Sequence, residues 1–161
     1  MLIDRFLATG REFLGCKYPI MCGAMTWISD PKLVSVVGNC GGFGLLAGGN
    51  APVEVLKNQI LETREMTAHP FGANIITLAP VYKDQLNLVC DMECEFIVFA
   101  GGIPKKNAVI DGDVTKGSLM AGQSVGLVDD VKPLKSIIDE IIDDAESELK
   151  RLQRIFISEP A

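Results

Sequence analysis

The chain has 161 residues, 48% hydrophobic and 22% charged, with 16 Gly, 5 Cys and a formal net charge of −6. That length holds one sizeable core and excludes two full domains; no stretch approaches the ~18 consecutive apolar residues of a membrane span, and Asp4, Arg5, Arg11 and Glu12 break the N-terminus where a secretory signal needs an apolar run. Lys105-Lys106 and Lys150-Arg151 are diluted by neighbouring acids, so no nucleic acid and no membrane partner is expected, and the expected address is cytoplasmic.

Four short apolar segments recur along the first hundred residues: Pro19-Ile20-Met21-Cys22, Phe43-Gly44-Leu45-Leu46, Phe71-Gly72-Ala73-Asn74-Ile75 and Glu95-Phe96-Ile97-Val98-Phe99. Segments of helical periodicity lie between them. The first opens with Ser29-Asp30-Pro31 and carries Leu33, Val34, Val36 and Val37; the second opens with Asn50-Ala51-Pro52 and carries Val53, Leu56 and Ile60; the third follows Pro80 and carries Leu86, Val89 and Cys90. Proline suits a first helical turn because the N–H it lacks would have no partner there. Strand, helix and strand at this spacing form βαβ units, whose strands are parallel and whose crossovers are right-handed. Four units make half of a (β/α)8 barrel or most of a small doubly wound sheet, and both folds bind ligands at the carboxyl ends of the strands.

Small residues gather at those ends: Gly23-Ala24-Met25-Thr26, Ala47-Gly48-Gly49-Asn50, Asn74-Ile75-Ile76-Thr77 and Ala100-Gly101-Gly102-Ile103-Pro104. Glycines of this kind can simply make tight turns, but their repetition also gives a floor on which a flat aromatic ring can lie against backbone amides.

Other signatures fail. Gly42-Phe43-Gly44-Leu45-Leu46-Ala47 has the letters of a dinucleotide loop, but its glycines precede and enter the strand instead of following it. His69 sits in the turn leading into the third strand and reads as a surface histidine. The odd set Cys16, Cys22, Cys40, Cys90 and Cys94 lacks a CxxC pair and the four-ligand spacing of a zinc site, so no metal is expected and reduced, half-buried thiols fit better.

Past residue 106 the cadence stops. After Asp129-Asp130 comes one long amphipathic helix with Val131, Leu134, Ile137, Ile138, Ile141, Ile142, Ala145, Leu149 and Leu152 on its apolar stripe and a favourable Glu146–Lys150 pair on the other side. Such a stripe has to pack on the sheet or on another chain.

The run Tyr18-Pro19-Ile20-Met21-Cys22-Gly23-Ala24-Met25-Thr26-Trp27, with Gly41-Gly42-Phe43-Gly44, Gly48-Gly49-Asn50-Ala51-Pro52 and Pro70-Phe71-Gly72-Ala73-Asn74, resembles the nitronate monooxygenase family. That family includes the former 2-nitropropane dioxygenases and the flavin-dependent enoyl-acyl carrier protein reductases. The stretch from Gly112 to Gln123 resembles the family's C-terminal segment. A complete barrel takes about 250 residues, so the resemblance implies an α/β fold of partial (β/α)8 type. It would consist of about four parallel βα units over residues 1–106 and a C-terminal segment with its long helix over residues 107–161, one domain in all, with roughly the second half of the barrel deleted.

The resemblance further implies FMN at the barrel mouth. Gly23, Ala24, Met25 and Thr26 would lie against the ring, Asn74 would hydrogen-bond its polar edge, Gly101 and Gly102 would line the floor, and Met120 and Gln123 would close over it. The small-molecule substrate would be an alkyl nitronate, oxidised through FMN by oxygen to a carbonyl compound and nitrite, or an enoyl thioester reduced by a nicotinamide through FMN. The family's Glu-Ala-Gly-Gly-His segment has no counterpart, so no catalytic side chain is assigned. The glycine loops that grip a phosphate after the seventh and eighth strands also lack one, so a monomer is expected to bind FMN weakly or not at all. A non-catalytic remnant that forms a homo-oligomer through its open sheet edge is the alternative from another class.

Overall fold

The structure is a computed structural model that describes residues 2–100 and 128–157. Its four strands, β1 (Met21–Cys22), β2 (Phe43–Gly49), β3 (Phe71–Ile76) and β4 (Phe96–Ala100), pair in parallel in the order β1-β2-β3-β4. Helices α2 (Pro31–Asn39), α3 (Val53–Met66) and α4 (Tyr82–Asp91) are the crossovers between them. Helix α1 (Leu2–Leu14) precedes the sheet, and α5 (Leu134–Ile157) packs on α1 and α2. Among the described residues this is a partial (β/α)8 barrel of four parallel strands and five helices. None of the described helices is long and apolar enough to cross a membrane.

Each crossover starts where its residues dictate. Asp30 caps α2 by accepting a 2.9 Å hydrogen bond from the Leu33 amide, and Pro31 takes the first turn. Pro52 stands at the head of α3 without a side-chain cap. The buried face of α2 is Pro31, Val34, Ser35, Val37 and Gly38, so the expected stripe shifts: Val36 is exposed, and polar Ser35 takes its place inside. On α4 the inward positions are Gln85 and Val89, whereas Cys90 points to solvent.

Alternation along the strands divides the core into two layers. Leu46, Ala73 and Ile75 pack outward against Val34, Leu56, Ile60 and Val89 of the helices. Phe43 and Leu45 pack on the concave face with Leu14, Cys16, Ala24, Phe96 and Val98. Close packing explains two glycines. A Cβ on Gly44 would lie 2.9 Å from Val34, where α2 presses on the sheet, and one on Gly72 would lie 2.6 Å from Leu45.

The N-terminal helix α1 was not read from the sequence. Its end closes the amino-terminal side of the half-barrel, where Phe13 meets Phe96 edge-to-face at 5.4 Å and Phe96 meets Phe43 at 4.9 Å. Helix α5 begins at Leu134, so Val131 lies before it and is fully bare; of the expected stripe only Ile138 is buried, and Ile137 and Ile141 remain exposed. The Glu146–Lys150 ion pair is present at 3.2 Å.

Candidate functional site

Because all four strands are parallel, their carboxyl ends share one edge of the sheet. The loop after β1 carries Gly23, Ala24, Met25 and Thr26. Its shape is set by Ser29, a buried residue whose hydroxyl accepts from the Met25 amide at 2.9 Å and donates to the Gly23 carbonyl at 3.2 Å. The Ser29 carbonyl in turn accepts from the Ala47 amide of β2 at 3.2 Å, tying this loop to the next strand. Ala24 packs on the concave face with Leu45 and Val98. Gly23 is exposed, and a Cβ added to it would meet nothing within 4 Å.

Asn74 stands in β3 between Ala73 and Ile75, both of which face the helices, so its side chain lies on the concave face. Its strand neighbours are Ala47 and Val98. Among the described residues its amide makes no hydrogen bond, leaving donor and acceptor available over a floor of small side chains. Ala24, Ala47 and Asn74 are thus brought to one concave surface below the loop bearing Gly23, Met25 and Thr26. Gly101, Gly102, Met120 and Gln123 lie outside the described residues.

Two expected rims differ from the sequence reading. Ala47, Gly48 and Gly49 belong to β2 itself, and the register with β3 slips between Ala47 and Gly49. A Cβ on Gly48 would come 2.6 Å from the Asn74 carbonyl oxygen and 3.4 Å from Gln85 Oε1, so this glycine is small in order to pack, not to admit a ligand. After β3 the rim begins only at Thr77, and Leu78 there is large and exposed. Met25, Trp27 and Ile28 add exposed apolar surface, and Trp27 holds a left-handed φ of 70° that non-glycine residues seldom adopt.

Sequence reasoning missed the two buried polar side chains that hold the mouth. Beside Ser29 there is Gln85, fully buried on α4, whose Nε2 donates to the Gly48 carbonyl at 3.3 Å and to the Ala51 carbonyl at 2.8 Å. A glutamine at an inward helical position was the available signal, since a buried amide needs partners.

A second concavity, a cleft of about 530 Å³, lies at the opposite edge of the sheet and is lined by Arg64, Thr67, His69, Cys94 and Glu95 among others. His69 is exposed there, and its amide donates to Thr67 Oγ1 at 3.1 Å. Burial raises the thiol pKa of Cys94, opposed by the nearby Arg64 charge; Cys16 and Cys22 are raised for the same first reason.

Half of a parallel barrel with a small-residue rim at its carboxyl edge defines the class of this fold. The nitronate monooxygenase family matches residues 9–95, more than half of the chain, and the chain belongs to that family. It is similar to the (3aS,4S,5R,7aS)-5-hydroxy-7a-methyl-1-oxo-octahydro-1H-indene-4-carboxyl-CoA dehydrogenase of Rhodococcus jostii strain RHA1, 36% identical over 64 residues. It is also similar to a probable nitronate monooxygenase of Staphylococcus aureus, 34% identical over 64 residues. Each match covers 40% of this chain and 18% of the relative. FabK of Thermotoga maritima has a similar structure, with a TM-score of 0.57 at 27% identity over 68% of this chain and 35% of that one. The chain thus spans well under half the length of these relatives.

Proposed function

We propose that the chain is the flavin-binding half of an FMN-dependent oxidoreductase of the nitronate monooxygenase type. The observation that carries this reading is the concave surface at the carboxyl edge, where Ala24, Ala47 and Asn74 meet under a loop whose Gly23 leaves open space. These residues fit a flat ring: the small side chains allow close approach, and the Asn74 amide, without a hydrogen bond among the described residues, can pair with a polar ring edge. FMN bound there would supply the redox chemistry.

In this reading Gly23, Ala24, Met25 and Thr26 form the wall against the ring, Ser29 keeps their backbone in place, and Gly101, Gly102, Met120 and Gln123 complete the enclosure. The exposed Met25, Trp27, Ile28 and Leu78 offer apolar surface to a substrate. Membership of the family supports oxidation of an alkyl nitronate. The likeness to the R. jostii carboxyl-CoA dehydrogenase favours a thioester as the second reading, as in a flavin-dependent enoyl-acyl carrier protein reductase.

Oxygen uptake and nitrite release from an alkyl nitronate, measured with added FMN, test the first reading, and both should scale with protein. Nicotinamide oxidation that depends on an enoyl thioester, without nitrite release, would move the assignment to the second. Neither signal at saturating FMN would contradict both.

A further inference from the structure

A closed barrel of this type has eight parallel strands, and β1 to β4 form a continuous arc of four whose two borders, β1 and β4, have no pairing strand among the described residues. Exposed apolar side chains gather on these borders. Phe99 on the outer face of β4 is 54% exposed although it touches Tyr82, and Met21 of β1 is 45% exposed. Helix α5 packs beside α2, the crossover that follows β1, and leaves Ile137 and Ile141 bare. Phe13, edge-to-face with Phe96 at the amino-terminal side, is 70% exposed, and Phe6 is bare one heptad earlier on α1.

We propose that these surfaces are covered by a second copy of this chain. Rotation by 180° about an axis parallel to the strands sets β4 of each protomer beside β1 of its partner. Every strand stays parallel, and two identical seams close the ring. Because α5 stands on the β1 side, it lies over the seam and offers Ile137 and Ile141 to the partner's Phe99. The arrangement is self-complementary, as a two-fold interface must be, and it pairs both borders that lack a strand among the described residues. The six exposed side chains present roughly 500 Å² of apolar surface per chain. Together with the two strand edges this approaches the ~800 Å² per partner of a stable interface. The two mouths would then form one rim, each chain contributing its residues 23–26 and Asn74.

Sedimentation equilibrium of the full chain between about 1 and 100 μM tests this. The expected result is twice the chain mass, with Phe99→Asp and Ile141→Asp each weakening association by ~30-fold or more. Both positions are exposed, so far-UV circular dichroism should stay unchanged; if one variant fails to fold, the other decides. A monomer at 100 μM, or a dimer indifferent to both substitutions, would overturn the proposal. The readout uses no flavin, so its failure leaves the proposed function standing on its own test.

Discussion

The hydroxyl of Ser29 bridges the Met25 amide, at 2.9 Å, and the Gly23 carbonyl, at 3.2 Å, and so fixes the loop that follows β1. Ser29 is buried, and replacing it by Ala removes both of these hydrogen bonds, whose partners lie on the exposed residues Met25 and Gly23. The expected loss is about 1–3 kcal/mol of unfolding free energy. Urea denaturation of Ser29→Ala measures it, and flavin affinity should fall with it because the wall at 23–26 loosens. A variant as stable as the parent would show that water replaces the hydroxyl.

The packing of β2 beside the mouth makes a sharper steric test. Gly48→Ala places a methyl group 2.6 Å from the Asn74 carbonyl oxygen, which is backbone and cannot swing aside. We expect a loss of about 3 kcal/mol, at the upper end for overpacking, seen as a lower urea midpoint. Gly23→Ala, which meets nothing within 4 Å, should stay within ~0.5 kcal/mol of the parent.

Helix α4 ends in a reversal where the Glu93 amide donates to the Cys90 carbonyl at 2.9 Å and the Cys94 amide to the Val89 carbonyl at 3.0 Å. Glycine usually takes the left-handed residue of this motif, but here Glu93 holds it at φ 52°. Glu93→Gly should therefore stabilise the chain by about 1 kcal/mol, the cost of a non-glycine left-handed residue. A rise in the thermal midpoint checks this; a fall would mean that the Glu93 side chain contributes more than the strain removes.

The thiols should separate by reactivity. Burial lifts the pKa of Cys16, Cys22 and Cys94 above the ordinary 9.0, whereas Cys90 is exposed. With a disulfide reagent near neutral pH, Cys90 should react first and these three slowly, since the thiolate is the nucleophile. The sign of the linkage follows: a raised folded pKa favours the neutral thiol in the folded state. That contribution is complete below about pH 9.0 and is lost as pH rises through the higher folded values. Stability should fall in that alkaline range, and unfolding midpoints measured across it check the direction.

Much of the fold was legible because it rests on local chemistry. The Asp30-Pro31 start, the four apolar segments and their parallel order follow from capping, proline and spacing alone. What escaped depended on tertiary contacts. Helix α1 carries charges that mask its short buried face, in which Ile3 and Leu14 lie inside while Phe6 and Phe13 stay bare. The small residues after Leu46 read as a loop because nothing local distinguishes a ligand floor from a strand pressed by α4, the role Gly48 plays. Asn74 was legible as a candidate through family resemblance. Ser29 and Gln85 were not, since their importance lies in the backbone groups that the fold brings to them.

The proposed function makes two statements: the carboxyl edge seats a flavin ring, and the described residues carry no phosphate grip. They are tested together by titration of FMN and riboflavin, by flavin fluorescence, into the parent and into Gly23→Leu, whose side chain starts from a Cβ position with nothing within 4 Å. The parent should purify without stoichiometric flavin and then bind both ligands saturably, with affinities within ~10-fold of each other. Gly23→Leu should bind neither while unfolding at the same urea concentration. Undiminished binding to that variant, or FMN retained stoichiometrically through purification, would contradict the account.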